Sequence, residues 1–437
     1  MKSPKIFQFI LIGIFAVFLV IGMLAFSGKL PKPKSESDIN YGNVTLWGTI
    51  PSEAVQPLIS SSGVLGSEKI FIRYVEKDAS TFDQEFIEAL ASGNGPDLIM
   101  LPHYGVTKHL DKLSLISYQT ISESYFKNTF LEEGELFLRP DGIVALPFVI
   151  DPIVMYWNRD IFTNLSIVTP PTKWKEFYTL APKVTTRDTG GNIKQSLVAF
   201  GEYGNVTNAK DILSLLILQS GSKIVESQGD YSYSTLAKSA GVDAPPPATG
   251  AVRFFMEFAN PAKDSYSWNR SLSSSRHMFE SGDLALYFGY ASEYLSILKK
   301  NPHLNFGVAV VPQAEQTTVK STFGKMQGLS LVKASENPAG AMHAILLLTR
   351  VDVQQALVQN VRLPPVRRDL VSLRPNDAVS TAFYDSAIIA RGWRDPSPSG
   401  TDQLFREMVE SISSGRAQIT EALRTAQSGL DSLLQKK

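Results

Sequence analysis

Residues 143–158 of this 437-residue chain read IVALPFVIDPIVMYWN. Two apolar runs lie within the stretch, residues 143–148 and 152–157, and only Val149, Ile150 and Asp151 separate them. Three residues leave no room for the crossover helix that would join parallel strands of one sheet. The stretch therefore predicts a chain that leaves one sheet and enters another at once, which is typical of a hinge between two domains.

Short apolar runs alternate with helix-length segments on both sides of this stretch, a pattern that indicates α/β architecture. The predicted strands cover residues 69–75, 98–101, 196–200, 284–288 and 306–311. A helix is predicted to open at Asn337-Pro338, and residues 404–434 are predicted to form two helices separated at Gly415. Because 437 residues exceed the usual size of one domain, we expect two.

The N-terminus predicts export. Lys2 and Lys5 precede an almost wholly apolar segment, residues 6–26, which as a helix would rise about 30 Å and could cross a bilayer core. We expect a transmembrane anchor in residues 1–28, although Ala25-Phe26-Ser27 would also suit cleavage of a signal peptide. Residues 29–41 carry several charges and two prolines and are predicted to form a spacer. Both alternatives place the folded body outside the cytoplasm.

Composition argues against several classes of function. The chain has 42 Lys and Arg against 42 Asp and Glu, so it offers no basic excess for nucleic acid. Cysteine is absent, which removes disulfides, thiolate metal sites and cysteine nucleophiles. The five histidines show no metal-ligand spacing, and the chain has no Gly-x-Ser-x-Gly motif, no phosphate-binding glycine-rich loop and no calcium-loop pattern. We therefore expect no metal, no cofactor and no catalysis. Glu132 and Glu133 leave a glycan-cleaving carboxylate pair open, because the fold would set their separation.

Several motifs follow one another in a characteristic order: ALASGNGPDLI (89–99), VALP (144–147), MYWNRDIF (155–162), PPTKWKEF (170–177), FESGDLAL (279–286) and LPPVR (363–367). Their order, from residue 43 to about residue 430, resembles family 1 of the extracellular solute-binding proteins, the sugar-type receptors of ABC importers. Two departures are the missing lipid-modified cysteine of many members, and Gly289-Tyr290 where the family often has Gly-x-Trp.

The resemblance implies an α/β, two-lobed periplasmic-binding-protein fold of type II (a Venus flytrap), preceded by one N-terminal transmembrane or signal helix. Lobe one is then expected to comprise residues 42–149 with 306–363, and lobe two residues 152–304 with 367–437. The ligand would lie in the cleft between the lobes, and the lobes would close on it.

Candidate ligand contacts follow the ends of predicted strands, because open α/β sheets bind ligands beyond the carboxyl ends of their strands. Three further positions join them: the hinge, the residues just before a predicted strand at 329–332, and a proline-bounded loop. The predicted contacts are Trp47, His103, Tyr104, Asp151, Tyr290, Met326, Gln327 and Trp393. Aromatic faces pack against the apolar face of a sugar ring, while carboxylates and amides bond its hydroxyls. These residue types therefore favour a polyol ligand.

The function implied by the resemblance is the extracytoplasmic substrate-binding component of an ABC importer, which captures a carbohydrate or similar small solute by lobe closure. Its partners would be the permease subunits, and we expect a monomer tethered to the outer face of the cytoplasmic membrane, or released if the N-terminal segment is cleaved. Two alternatives stay open: an exported glycan-cleaving enzyme, and a ligand-sensing partner of a membrane receptor kinase.

Overall fold

The computed structural model describes residues 4–26, 40–60, 69–228, 231–239, 244–315 and 319–435, together with residues 63, 65, 66 and 241. Within the first helix, side chains are described for residues 9–23. The predicted spacer lies outside the described residues except for its last two, 40 and 41.

The strands set the frame of the molecule. In chain order they are β1 (Gly42–Gly48), β2 (Ile70–Glu76), β3 (Leu98–Pro102), β4 (Leu113–Ser114), β5 (Leu138–Arg139), β6 (Gly142–Ile143), β7 (Leu146–Asn158), β8 (Thr186–Arg187), β9 (Ile193–Val198), β10 (Val225–Gln228), β11 (Tyr231–Ser234), β12 (Leu284–Tyr290), β13 (Phe306–Ala309), β14 (Thr322–Val332) and β15 (Ala390–Arg391).

Helices fill the connections between the strands. They are α1 (Pro4–Phe26), α2 (Ser52–Ile59), α3 (Phe82–Ala91), α4 (Val106–His109), α5 (Glu123–Thr129), α6 (Arg159–Asn164), α7 (Glu176–Val184), α8 (Ala209–Gln219), α9 (Pro247–Glu257), α10 (Ser275–Glu280), α11 (Tyr294–Lys300), α12 (Pro338–Leu348), α13 (Val351–Val361), α14 (Arg368–Val371), α15 (Ala378–Ile388), α16 (Pro398–Ser413) and α17 (Ile419–Gln435). Short 3-10 turns cover His103–Gly105, Leu110–Lys112, Glu132–Phe137 and Ala291–Glu293.

Two helix predictions are confirmed with their physical causes. The helix predicted at Asn337-Pro338 is α12, and the Asn337 side chain accepts a hydrogen bond from the backbone N–H of Gly340, as an N-cap residue does. The C-terminal pair is α16 and α17. Gly415 separates them with a φ of 69°, which glycine adopts without strain.

One sheet path runs through both halves of the molecule in the order β2-β1-β3-β14-β7-β12-β9-β8. Strands β1, β2 and β3 are parallel, as are β9 and β12. Strand β14 runs antiparallel to β3 and to β7, and β7 runs antiparallel to β12 and β13. The molecule is therefore of the mixed α/β class, and β7 and β14 connect its two ends.

The prediction of two separate strands around the hinge is wrong. Val149, Ile150 and Asp151 lie inside β7, which is one strand of 13 residues, and they pair with residues of β14. The change of partner happens at Pro152 and Ile153, since residues up to Pro152 pair with β14 and those from Ile153 onward pair with β12. The backbone stays extended while its neighbour changes, so no break in the strand is needed.

Two hydrophobic cores lie on either side of this change of partner. One is built around β1, β3 and the N-terminal half of β7, with α12 and α13 packed against it. The other contains the C-terminal half of β7 with β9, β12, α8, α9 and α17. We call them core one and core two. The exact lobe boundaries expected from the sequence stay a prediction.

The N-terminal helix α1 carries exposed apolar side chains on all sides between residues 9 and 23, among them Phe9, Phe15, Phe18 and Met23. Across the part of the chain that the structure describes, no helix meets the length and apolarity that crossing a membrane requires. The predicted transmembrane helix is therefore not confirmed.

Candidate functional site

A cavity of about 840 Å³ lies between core one and core two, near the upper end of the range of small-molecule sites, about 300–1,000 Å³. We call it the cleft cavity. One wall comes from the turn after β3 and from α3, and the other from the loop between β9 and α8 and from the segment that leads into α16. Phe323 and Lys325 of β14 also line it. The carboxyl ends of β3 and β9 thus lead directly into the cavity wall, as expected for an open α/β sheet.

Two residues in left-handed backbone conformations shape the loop between β9 and α8. Gly201 has a φ of 91° and Asn208 a φ of 61°. The Asn208 amide donates a hydrogen bond of 3.0 Å to Glu293, which fixes the residue directly before the helix. The first turn of α8 then brings Lys210 and Asp211 to the cavity wall.

Asp211 is the centre of a buried polar cluster. The Tyr290 hydroxyl donates a hydrogen bond of 2.6 Å to Asp211 Oδ2, and Lys325 Nζ lies 3.2 Å from the same oxygen. The Lys325 ammonium also sits 4.0 Å from the centroid of the Tyr290 ring. Burial, and then the Asp211 charge, raise the pKa of Tyr290 well above its usual value. Tyr290 therefore holds Asp211 in place through this hydrogen bond, and Lys325 covers the face of the Tyr290 ring.

Lys210 forms a second ion pair, beside that of Asp211 and Lys325, with a buried carboxylate. Its Nζ lies 2.9 Å from Asp395 Oδ2, and the Thr401 hydroxyl bonds the same carboxylate. Trp393 lies two residues earlier, lines the cavity, and donates its indole N–H to Ser214 at 3.3 Å. The loop that carries Trp393 and Asp395 is thus bonded to α8 and to α16.

His103 and Tyr104 form the opposite wall. His103 is buried, and its Nδ1 accepts a hydrogen bond of 3.2 Å from the backbone N–H of Met326, so the neutral ring carries its proton on Nε2. Burial, helped by the charge of Lys325, lowers the pKa of His103 to about 4. Tyr104 stands edge-on to His103, with ring centroids 5.5 Å apart. Tyr104 is half-buried, whereas the other aromatic residues of the cavity wall are buried.

A second cavity of about 440 Å³ shares Lys325 with the first and contains Asp151, Gln327 and Ser292 in its lining. The backbone N–H of Ser292 donates to Asp151 at 3.0 Å. Burial raises the pKa of Asp151 to about 6, although the bonds from Ser292 act in the opposite direction. The side-chain oxygen of Gln327 is buried without a hydrogen bond from any described residue.

Three predicted contacts line neither of these two cavities: Trp47, Met326 and Tyr290. Trp47 belongs to core one, and the ammonium of Lys77 covers its ring at 3.9 Å. Met326 is fully buried in the same core. The structure brings His103, Tyr104 and Trp393 together at the cleft cavity and places Asp151 and Gln327 at the second cavity.

Glu132 and Glu133, which the sequence allowed as a glycan-cleaving carboxylate pair, lie in different surroundings. Glu132 forms an ion pair of 2.6 Å with Arg391, whereas Glu133 is buried. Neither lines the cleft cavity. Among the described residues, no group of three or more His, Asp or Glu side chains is arranged to hold a metal ion.

Several cavity residues were missed from the sequence: Tyr203, Asn208, Lys210, Asp211, Lys325 and Asp395. Tyr203 and its neighbours follow β9, so the rule of strand ends would have found that loop. Lys325 has a different signal. In β14 the side chains alternate between faces, and residues 325 and 327 are half-buried while Met326 is buried.

The family model described as bacterial extracellular solute-binding protein matches residues 68–355. A protein of Brucella abortus (strain 2308), named as a binding protein, is 24% identical over 330 residues, which cover 71% of this chain and 73% of that protein. A protein of Deinococcus radiodurans, named as an ABC transporter-binding protein, is 20% identical over 249 residues, or 56% of this chain and 54% of that protein.

Solved structures share the fold over nearly the whole chain. A cyclic α-maltosyl-1,6-maltose binding protein from Arthrobacter globiformis has a TM-score of 0.74 at 15% identity, covering 90% of this chain and 99% of that one. The sugar-binding protein MalE from Xanthomonas citri has a TM-score of 0.72 at 16% identity and covers 90% and 98%. A cyclo/maltodextrin-binding protein complexed with maltotetraose has a TM-score of 0.70 at 15% identity and covers 93% and 99%.

Proposed function

Because the chain belongs to the bacterial extracellular solute-binding proteins, we propose that it is the substrate-binding component of an ABC importer and that it captures a carbohydrate in the cleft cavity. The observation that carries the proposal is a cavity walled by both cores, with β7 and β14 running from one core to the other. Similar folds complexed with maltotetraose and with mannobiose support carbohydrate as the ligand.

The chemistry of the cavity wall supports the same class of ligand. Carboxylates such as Asp211 and Asp395 accept hydrogen bonds from hydroxyl groups, and ammonium groups such as Lys210 donate to them. Tyr104 presents a half-buried aromatic ring beside these groups. An aromatic ring next to directional polar groups fits a sugar, which has apolar C–H faces and a rim of hydroxyls.

Closure of the two cores on the ligand is the proposed mechanism of capture. Strands β7 and β14 lie side by side. β7 changes partner at Pro152 and Ile153, and β14 changes from β3 to β15 on either side of Lys325. Bending there changes the angle between the cores and leaves each core intact, which is a hinge motion. The ligand favours the closed form because only that form lets it contact both walls.

The protein acts outside the cytoplasm in this proposal, and α1 is its export segment and membrane tether. The support is the family's extracellular character and the exposed apolar side chains of α1 between residues 9 and 23. Membrane fractionation with N-terminal sequencing of the mature protein tests this part, since a cleaved segment would yield a soluble protein that begins beyond residue 26.

Isothermal titration calorimetry of the full-length protein in detergent, across neutral mono- and oligosaccharides, tests the proposed function. We expect saturable 1:1 binding of at least one sugar without any turnover of it. Absence of binding to every sugar would remove carbohydrate as the ligand, and release of cleaved product would show an enzyme instead.

A further inference from the structure

The charged residues of the cleft cavity balance one another. Four carboxylates and four cations line it, and each cation lies close to one of these carboxylates. Two pairs have been described above, Lys325 with Asp211 at 3.2 Å and Lys210 with Asp395 at 2.9 Å. The others are Arg406 with Asp402, at 3.8 Å, and Lys108 with Asp83.

The histidine of the wall adds no charge at neutral pH. Burial lowers the pKa of His103 to about 4, so its ring is neutral at pH 7. The wall therefore has a formal charge of zero, and this balance is local, because it arises from pairs of neighbours within one cavity.

In the two pairs that include a residue of α8, the carboxylate is the buried member. Asp211 is 7% exposed and Asp395 is 4% exposed, and each also accepts a hydroxyl hydrogen bond, from Tyr290 and from Thr401 respectively. The other two carboxylates are half-buried and solvated. A buried carboxylate that loses its ammonium partner is strongly destabilised. A ligand group that separates one of these pairs must therefore supply an equally favourable interaction to the carboxylate.

A neutral hydroxyl can bind these pairs without separating them. A paired carboxylate keeps free lone pairs that accept an O–H, and a paired ammonium keeps N–H groups that donate to an oxygen. A ligand carboxylate or phosphate meets Asp211 and Asp395 at close range, and a ligand ammonium meets Lys210 and Lys325. A charged ligand group is repelled by the residue of like charge in each pair. To bind the residue of opposite charge, it must compete with that residue's partner in the protein.

From this geometry we propose that the cleft cavity selects electrically neutral polyhydroxylated ligands over charged ones, and that the Asp211–Lys325 and Asp395–Lys210 pairs are its specificity determinants. The inference rests on the proposed function and names the ligand class of the same site. Lys325 has a special place in it, because it lines both the cleft cavity and the second cavity.

Calorimetry with trisaccharides of matched length tests the inference on the full-length protein. The neutral probes are maltotriose, mannotriose and triacetylchitotriose, the cationic probe is fully deacetylated chitotriose, and the anionic probe is trigalacturonate. We expect at least one neutral probe to bind and both charged probes to bind tenfold or more weakly than it does, which corresponds to about 1.4 kcal/mol. A charged probe that binds more tightly than every neutral one would overturn the inference while leaving the proposed function standing. If none of these trisaccharides and none of the neutral sugars of the calorimetric panel binds, carbohydrate is removed as the ligand and the inference fails with the proposed function.

Charge variants test the pairs themselves. Asp211→Asn keeps the shape and leaves Lys325 without its carboxylate, so affinity for trigalacturonate relative to the best neutral probe should rise at least tenfold. Lys325→Met should raise the relative affinity for deacetylated chitotriose by a similar factor. Lys127→Met is the matched control, since Lys127 pairs with Glu123 away from the cavity, and it should leave both ratios unchanged. Circular dichroism identifies any variant that does not fold, and unchanged ratios in a folded Asp211→Asn or Lys325→Met protein would overturn the inference.

Discussion

The Nδ1 atom of His103 lies 3.8 Å from a carboxylate oxygen of Glu133, and both side chains are buried. Both oxygens of Glu133 are without a hydrogen-bond partner among the described residues. Burial raises the pKa of Glu133 well above its usual value, and the nearby Arg391 lowers it by less. Glu133 is therefore protonated in the folded protein at pH values where it is ionised in the unfolded chain.

Glu133→Gln should stabilise the protein at alkaline pH and have little effect at pH 4. At pH values between the pKa of Glu133 in the unfolded chain and its raised pKa in the folded protein, the folded state holds one more proton than the unfolded state. The free energy of unfolding of the native protein therefore falls as pH rises through this range, by up to about 1.4 kcal/mol per pH unit. Glutamine does not ionise in this pH range, so the variant escapes this loss of stability. Urea unfolding at pH 4, 6 and 8 measures the difference in the free energy of unfolding.

Glu123→Gln serves as its control, because Glu123 is exposed and, among the described residues, pairs with Lys127 on the same helix. A stability difference between Glu133→Gln and the native protein that stays constant from pH 4 to pH 8 would show that Glu133 ionises normally in the folded state.

His103 should make the protein less stable under acid conditions. Its pKa is lowered to about 4 from an ordinary value of 6.5. Between pH 4 and pH 6.5, His103 is therefore protonated in the unfolded chain and neutral in the folded protein. Stability is therefore fully present above about pH 6.5 and is lost as pH falls toward 4, by up to about 3 kcal/mol.

The variant His103→Asn should flatten this part of the pH profile, since the asparagine oxygen can accept the Met326 N–H in place of Nδ1. Urea unfolding between pH 7 and pH 4 measures the slope. If the native and variant proteins lose equal stability over that range, His103 is not held neutral by the fold.

Gly392→Ala should destabilise the protein by about 1–3 kcal/mol. An added Cβ would lie 2.5 Å from Glu133 Oε1 and 3.0 Å from His103 Nε2, and both neighbours are buried. Gly250→Ala is the matched control, because a Cβ there meets nothing within 4 Å and alanine favours a helix by about 0.5–1 kcal/mol. Thermal unfolding of the two variants should therefore shift in opposite directions, and a neutral Gly392→Ala would mean that the packing around Glu133 is loose.

The sequence predicted the two-part α/β fold because the hydrophobic pattern of each strand is local. It placed the transition at residues 149–151, next to the observed change of partner at Pro152 and Ile153. It still described β7 as two strands, since a polar residue followed by Pro152 has the same signature in a loop and in a strand that changes partners. Only the pairing with β14 distinguishes these cases.

The site was harder to predict, because it depends on which side chains cover one another. Tyr290 follows a strand end as a ligand contact would, but Asp211 binds its hydroxyl and Lys325 covers its ring. These three residues are far apart in the chain, so no local pattern reveals their contact. Lys325 was missed because the strand was predicted to begin only at residue 329. In the structure β14 begins at Thr322, and its alternation puts Lys325 on the same face as Gln327 and opposite to Met326.

Closure of the cleft is tested most directly by fluorescence energy transfer between labels on the two sides. The chain has no native cysteine, so Glu88→Cys on α3 and Gln403→Cys on α16, both exposed, accept labels without background. A pair on one side only, Glu88→Cys with Asn128→Cys, is the control. We expect maltotriose, or whichever neutral sugar binds in calorimetry, to raise the energy transfer between the labels at positions 88 and 403. The sugar concentration at half-maximal change should equal the midpoint of binding in calorimetry, and transfer in the control pair should not change. Saturating binding with no change in transfer between Glu88 and Gln403 would contradict capture by closure.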